Sequence, residues 1–114
     1  MPPADRDARG ELLRGSLEML VLQSLTHGTM HGYGIAQHLG RVSQDVLRVE
    51  EGSLYPALQR LLVKGLVSAE WRRTPNNQRA RYYALTRLGR AQLRSQADEF
   101  ERFVSAVRRV FAEA

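Results

Sequence analysis

The chain has 114 residues, 43% of them hydrophobic, with no cysteine and a formal net charge of +5; that length supports one domain, or one small domain with a long helix beside it. The lack of cysteine excludes disulfides, thiol catalysis and Cys-based zinc sites, and no apolar run is long enough to cross a bilayer, so a cytoplasmic chain with no membrane partner is expected. The positive balance points to a polyanionic partner. It is carried almost wholly by arginine, since Lys64 is the only lysine among 17 basic residues; arginine grips phosphate bidentately and reads guanine edges, although a codon bias would give the same count.

Residues 1–10 read as a loose, polar tail. From about Glu11 to His27 the spacing predicts a helix, with Leu13, Leu17, Leu20, Val21 and Leu25 on one face and Met19 and Leu22 on a second, smaller one. Such a helix is buried on two sides, one in the core and one against a partner subunit. Gly28 ends it. A second short helix follows with Ile35, Ala36 and Leu39 inward, and Arg41 to Glu51 is a polar connector, in part extended.

Glu50 to Thr86 is the stretch around which the chain is organised. Leu54, Leu58, Leu61 and Leu62 share a helical face, Ser53 stands where an N-cap would, Pro56 falls in the first turn, and Gly65 supplies the stop. The opposite face gathers Tyr55, Gln59, Arg60 and Lys64. Two strand-like runs, Leu66–Arg73 and Arg79–Leu85, flank a turn at Pro75-Asn76-Asn77. Helix, strand, basic turn and strand is the order of a recognition helix followed by a wing. Arg72, Arg73, Arg79 and Arg81 flank the turn, where phosphate contact is natural, and those that point back at the sheet pair with Glu70. Trp71, Tyr82 and Tyr83 read as core and sheet residues rather than stacking platforms.

Thr86 reads as the N-cap of a last helix running to about Ala112. Leu93, Ala97, Phe100, Val104, Val107 and Phe111 follow steps of four and three, a heptad seam widened by Phe103 and Val110. With Leu88 and the first helix used by the domain core, that seam needs a second subunit. His27, His31 and His38 come without a carboxylate cluster, so no metal is expected. Glu50 and Glu51 are adjacent and do not converge as an acid–base pair. With no nucleophile arrangement or phosphate-cradling loop, the sequence predicts neither an enzyme nor a cofactor.

Three clusters together resemble the PadR family of bacterial transcriptional regulators. They are Arg14–Leu22 (R-G-S-L-E-M-L-V-L) with His31–Ile35 (H-G-Y-G-I), Glu50–Leu58 (E-E-G-S-L-Y-P-A-L), and Arg81–Thr86 (R-Y-Y-A-L-T). The resemblance implies a mainly α fold with a two-stranded β-wing: a winged helix-turn-helix over residues 11–85 and a dimerisation helix over 86–114, as in the short members. It implies a homodimeric repressor of double-stranded DNA with a pseudo-palindromic operator. DNA contacts are implied at Ser53, Tyr55 and Pro56 on the recognition helix, at Arg79 and Arg81 on the wing, and at Tyr33; the helix face adds Gln59, Arg60 and Lys64. Drug-sensing members carry an aromatic at the centre of the dimer helix, and the matching Phe100 implies a small aromatic effector. The chain departs from the family pattern at Leu62, where members carry an acid, and at Ala80, which interrupts the basic run. A protein-interaction module that kept the fold, or a small-molecule binder centred on Phe100, are the other readings.

Overall fold

The computed structural model describes residues 4–113, with side chains at Leu13 and from Ser16 onward. In chain order the elements are α1 (Ala4–Leu25), β1 (Met30–His31), α2 (Gly32–Val42), α3 (Glu51–Val63), β2 (Val67–Arg73), β3 (Arg79–Leu85) and α4 (Arg87–Ala112). This is a mainly helical winged helix-turn-helix with a long last helix. Among the described residues no helix is long and apolar enough to cross a membrane.

Helix α1 begins at Ala4 rather than near Glu11, so most of the segment read as a tail is helical; residues 1–3 lie outside the described residues. Ala4 and Ala8 supply the propensity that the scattered charges conceal. α1 packs against α2, α3, α4 and β3. Leu17, Val21, Leu22 and Leu25 are all buried, with Met19 and Leu20 packed at the edge. Leu22 is therefore core and not part of a second face for a partner, because three helices and a strand surround this one. Ser24, also buried, is satisfied by donating its hydroxyl to the Leu20 carbonyl at 2.9 Å.

The sheet has three strands in the order β1-β3-β2, all antiparallel, and not only the two of the wing. β1 is two residues long, too short to show any alternation in sequence, and pairs Met30 with Tyr83 and His31 with Tyr82. The wing hairpin pairs Val67 with Leu85 through to Arg73 with Arg79. Its tip is a tight turn: the Asn77 amide donates to the Thr74 carbonyl at 2.8 Å, and Asn77 sits at φ 63. Pro75 pre-sets the turn, and asparagine tolerates the left-handed conformation that follows it.

Three expectations for the middle of the chain change. The connector after α2 forms turns rather than strand, because Gln44 and Asp45 both adopt positive φ, which extended pairing forbids. Helix α3 starts at Glu51 with Glu50 as N-cap and no side-chain cap, so Ser53 lies inside it. Pro56 consequently falls in the second turn, where its missing N–H leaves the exposed Gly52 carbonyl without its helical donor. Gly65 does end the helix as expected: at φ 74 it sends its amide to the Leu62 carbonyl while Leu66 bonds to Leu61, a Schellman closure.

Helix α4 is anchored at its first turn. The Thr86 hydroxyl accepts from the Gly89 amide at 3.0 Å and donates to the Gly65 carbonyl at 2.8 Å, tying the start of α4 to the end of α3. Gly89 is buried against the Leu66 backbone. Leu93 packs into the core of its own chain and is not available to a second subunit, whereas Leu88, expected in the core, is exposed. Beyond Leu93 the helix still borders α1, where Gln96, Phe100 and Phe103 line one depression with Ser16 and Met19, before it outruns the domain. At about 1.5 Å per residue, its apolar face continues into solvent, with Phe103 63% and Phe111 83% exposed. Ala97, Val104 and Val107 are half-buried and Phe100 is exposed.

Candidate nucleic-acid interface

The helix-turn-helix is α2 and α3, joined through residues 43–50. His31 caps α2: its Nδ1 accepts from the Gly34 amide at 2.9 Å. The same ring stands edge-on to Tyr82 at 5.2 Å, so the cap fixes α2 to the sheet. Its first turn thereby presents Tyr33, 59% exposed. Gly32, next to it, is buried beneath Tyr55 of α3; a Cβ there would meet the Tyr55 ring at 3.0 Å. Tyr55 is 46% exposed yet held by that contact. The close approach of α2 and α3 depends on the missing side chain at Gly32.

The wing completes a groove. His31, Gly32, Tyr33 and Tyr55 line one wall, and Trp71, Arg79, Arg81 and Tyr83 line the other. The cross-strand register explains this. Trp71 lies opposite Arg81 and Ala69 opposite Tyr83, so one sheet face carries Val67, Ala69, Trp71 and Arg73 against Leu85, Tyr83, Arg81 and Arg79. The inner half of that face is buried core and the outer half is cationic. The opposite face holds Glu70 and Arg72, which form an ion pair, with Arg72 also over the Tyr82 ring at 5.5 Å. Arg72 is thus the residue that turns back to Glu70.

Of the positions singled out in the sequence, Tyr33, Tyr55, Arg79 and Arg81 meet in this groove. Ser53, Pro56 and Gln59 are exposed on α3 outside it. Arg60 and Lys64 do not join Tyr55. At 3.6 residues per turn they lie about 140° and 180° around the helix from it, a separation that the run of polar residues hides. Both instead contact Glu18 of α1, with N–O distances of 2.9 Å each. Partial burial pushes the Glu18 carboxyl up, but hydrogen bonds from Lys64 and Arg60 outweigh it and hold the group below the usual range.

The sign of that shift sets a pH window. The unfolded chain takes up the Glu18 proton first, so the triad contributes fully above the ordinary glutamate value of about 4.3 and is lost as pH falls through the lower folded value. Glu18→Gln should cost at most about 1 kcal/mol at pH 7, since the cations are half-exposed. Urea titrations of both proteins should show the gap closing as pH falls below that ordinary value.

The wing aromatics divide. Tyr83 is buried and Tyr82 half-buried, as expected, but Trp71 is 57% exposed. The Arg79 guanidinium sits 4.7 Å from its ring centroid. Strand alternation did place Trp71 on the face of Val67 and Ala69; the core simply ends before reaching it. Among the histidines His27 and His38 stand close, 5.1 Å between rings. Partial burial, then His27 and Arg41, push His38 below the ordinary imidazole range.

Residues 21–95 match the transcriptional regulator PadR-like family, more than half of the chain. The chain belongs to the PadR-like family. A transcriptional regulator of Mycobacterium tuberculosis is 34% identical over 83 residues, covering 73% of this chain and 74% of that protein. A crystal structure of a PadR family regulator from Eggerthella lenta superposes with a TM-score of 0.78 at 29% identity, covering 91% of this chain and 88% of the other. The Bacillus subtilis PadR, solved in complex with operator DNA, shares the fold at a TM-score of 0.64 and 21% identity, over 71% of this chain and 46% of that one. This PadR-like chain is a DNA-binding transcriptional regulator, and the groove between its helix-turn-helix and wing is its candidate interface.

Proposed function

We propose that this PadR-like regulator is a homodimeric repressor whose α3 enters the major groove while the wing holds the flanking backbone. In this reading residues 11–85 read DNA, and α4, within residues 86–114, joins two copies. The observation that supports it most is the convergence of Tyr33, Tyr55, Arg79 and Arg81 on one groove beside α3. The operator complex of the Bacillus subtilis relative supports the same partner. A two-fold dimer would read half-sites about 34–36 Å apart on a pseudo-palindromic operator in the cytoplasm. A planar aromatic effector would find its place beside Phe100, which lines a depression between α1 and α4 with Met19, Gln96 and Phe103. It would act by favouring one spacing of the two reading heads.

Two substitutions measured on two DNAs test this reading. Arg81→Ala should weaken binding to the promoter of its own gene and to random duplex alike, and lower the salt slope by about 0.9, as expected for one lost phosphate contact. Tyr55→Ala should weaken promoter binding about tenfold or more while leaving random duplex nearly unchanged, because its ring faces the groove from the recognition helix. Equal losses from Tyr55→Ala on both DNAs would reduce it to a positioning role. An unchanged salt slope in Arg81→Ala would remove the wing from the interface.

A further inference from the structure

Resting on the DNA reading above, we propose that Trp71 is a positioning residue of the wing, whose indole holds the Arg79 guanidinium so that the stacked pair packs as one unit against the sugar–phosphate backbone of duplex DNA. An indole exposed over more than half its surface forgoes burial that a polar residue at the same place would not miss. The folded domain gives it no core role, because the buried part of its sheet face ends at Ala69 and Tyr83. What it does contact is Arg79, diagonal to it across the hairpin, at a distance within the range of a cation over a ring.

The choice of partner matters for the charge. Arg72, on the other face of the wing, is neutralised by Glu70. Arg79 belongs to none of the ion pairs found among the described residues. A ring orients a guanidinium without cancelling its charge, and it leaves the in-plane N–H donors free to fork onto a phosphate. Arg81, directly opposite Trp71, and Arg73 add two more cations to the same sheet face. That face looks into the groove that also holds Tyr33 and Tyr55. A cationic surface with an aromatic between its arginines is complementary to a duplex backbone, whose phosphates alternate with apolar sugar edges.

Because Trp71 is the sole tryptophan, its emission reports on its own surroundings. The experiment titrates the protein with a fluorescein-labelled random-sequence duplex, reading binding by anisotropy and the indole by intrinsic emission. Trp71 emission should change as the duplex saturates. Trp71→Ala removes no charge, yet it should weaken binding about as much as Arg79→Ala does, roughly three- to tenfold, and lower the salt slope by up to about one. The double variant should bind no more weakly than Arg79→Ala alone, and Trp71→Phe should keep most of the affinity. Unchanged emission at saturating duplex, or losses that multiply in the double variant, would overturn the assignment of Trp71 while leaving the DNA reading intact. If the unmodified protein fails to bind the labelled duplex, the DNA reading falls and this inference with it. The emission titration and the Phe variant decide the matter even if Trp71→Ala folds poorly.

Discussion

Gly89→Ala should lower the melting temperature by on the order of 10–20 °C, a loss of about 3 kcal/mol. Intrinsic helix propensity alone argues the other way, since alanine is favoured over glycine by about 1 kcal/mol within a helix. Packing decides the sign. A Cβ on Gly89 would stand 2.0 Å from the Leu66 carbonyl oxygen and 2.9 Å from Leu85 Cδ1. The first of these is backbone, held in place by the Thr86 amide at 3.2 Å and by the Schellman closure just before it. Relief therefore requires the first turn of α4 to move off the Leu66 backbone, in the link between α3 and β2, which pulls Leu93 from the core. Gly52→Ala is the matching control, because nothing lies within 4 Å of its Cβ; it should be neutral or stabilising by up to about 1 kcal/mol. Calorimetry of the two variants beside the unmodified protein checks both signs.

The pair Val104→Asp with Val107→Asp should weaken self-association by at least about 4 kcal/mol, a thousandfold in Kd, and abolish cooperative promoter binding. Phe100, Val104, Val107 and Phe111 continue the helical face that Leu93 begins, and Phe103 and Val110 widen it. This face passes from buried to exposed as α4 leaves the domain, and an uncovered stripe of that size calls for a partner. A second copy of the same stripe covers it most economically, since a two-fold axis makes one patch serve both sides. Charges there would be desolvated on both copies at once. Both valines are half-buried within the chain, so Phe111→Asp serves as a second variant: at 83% exposure its side chain contributes little to the fold of one copy. Sedimentation of the unmodified protein at micromolar concentration checks the premise. A single 12.9 kDa species would sink the dimer and the two-headed reading of DNA with it.

Local chemistry was readable from residues alone wherever the decisive contacts lie close in the chain. Thr86 as a cap, Gly65 as a stop and the Pro75–Asn77 turn depend on neighbours within a few positions, the wing strands on alternation either side of that turn, and all form as their spacing predicts. The helical face of α3 and the seam of α4 follow from period alone. Other features required the assembled chain. Leu22 and Leu93 are core, and Leu88 is not, because of which elements surround them and where the domain ends. Arg60 and Lys64 turn to Glu18, more than forty positions earlier in the chain. Tyr55 is held by a glycine on a different helix. Trp71 alternates as a core residue should, yet stands in solvent against Arg79, because alternation defines a side of the sheet and not how far the core extends along it.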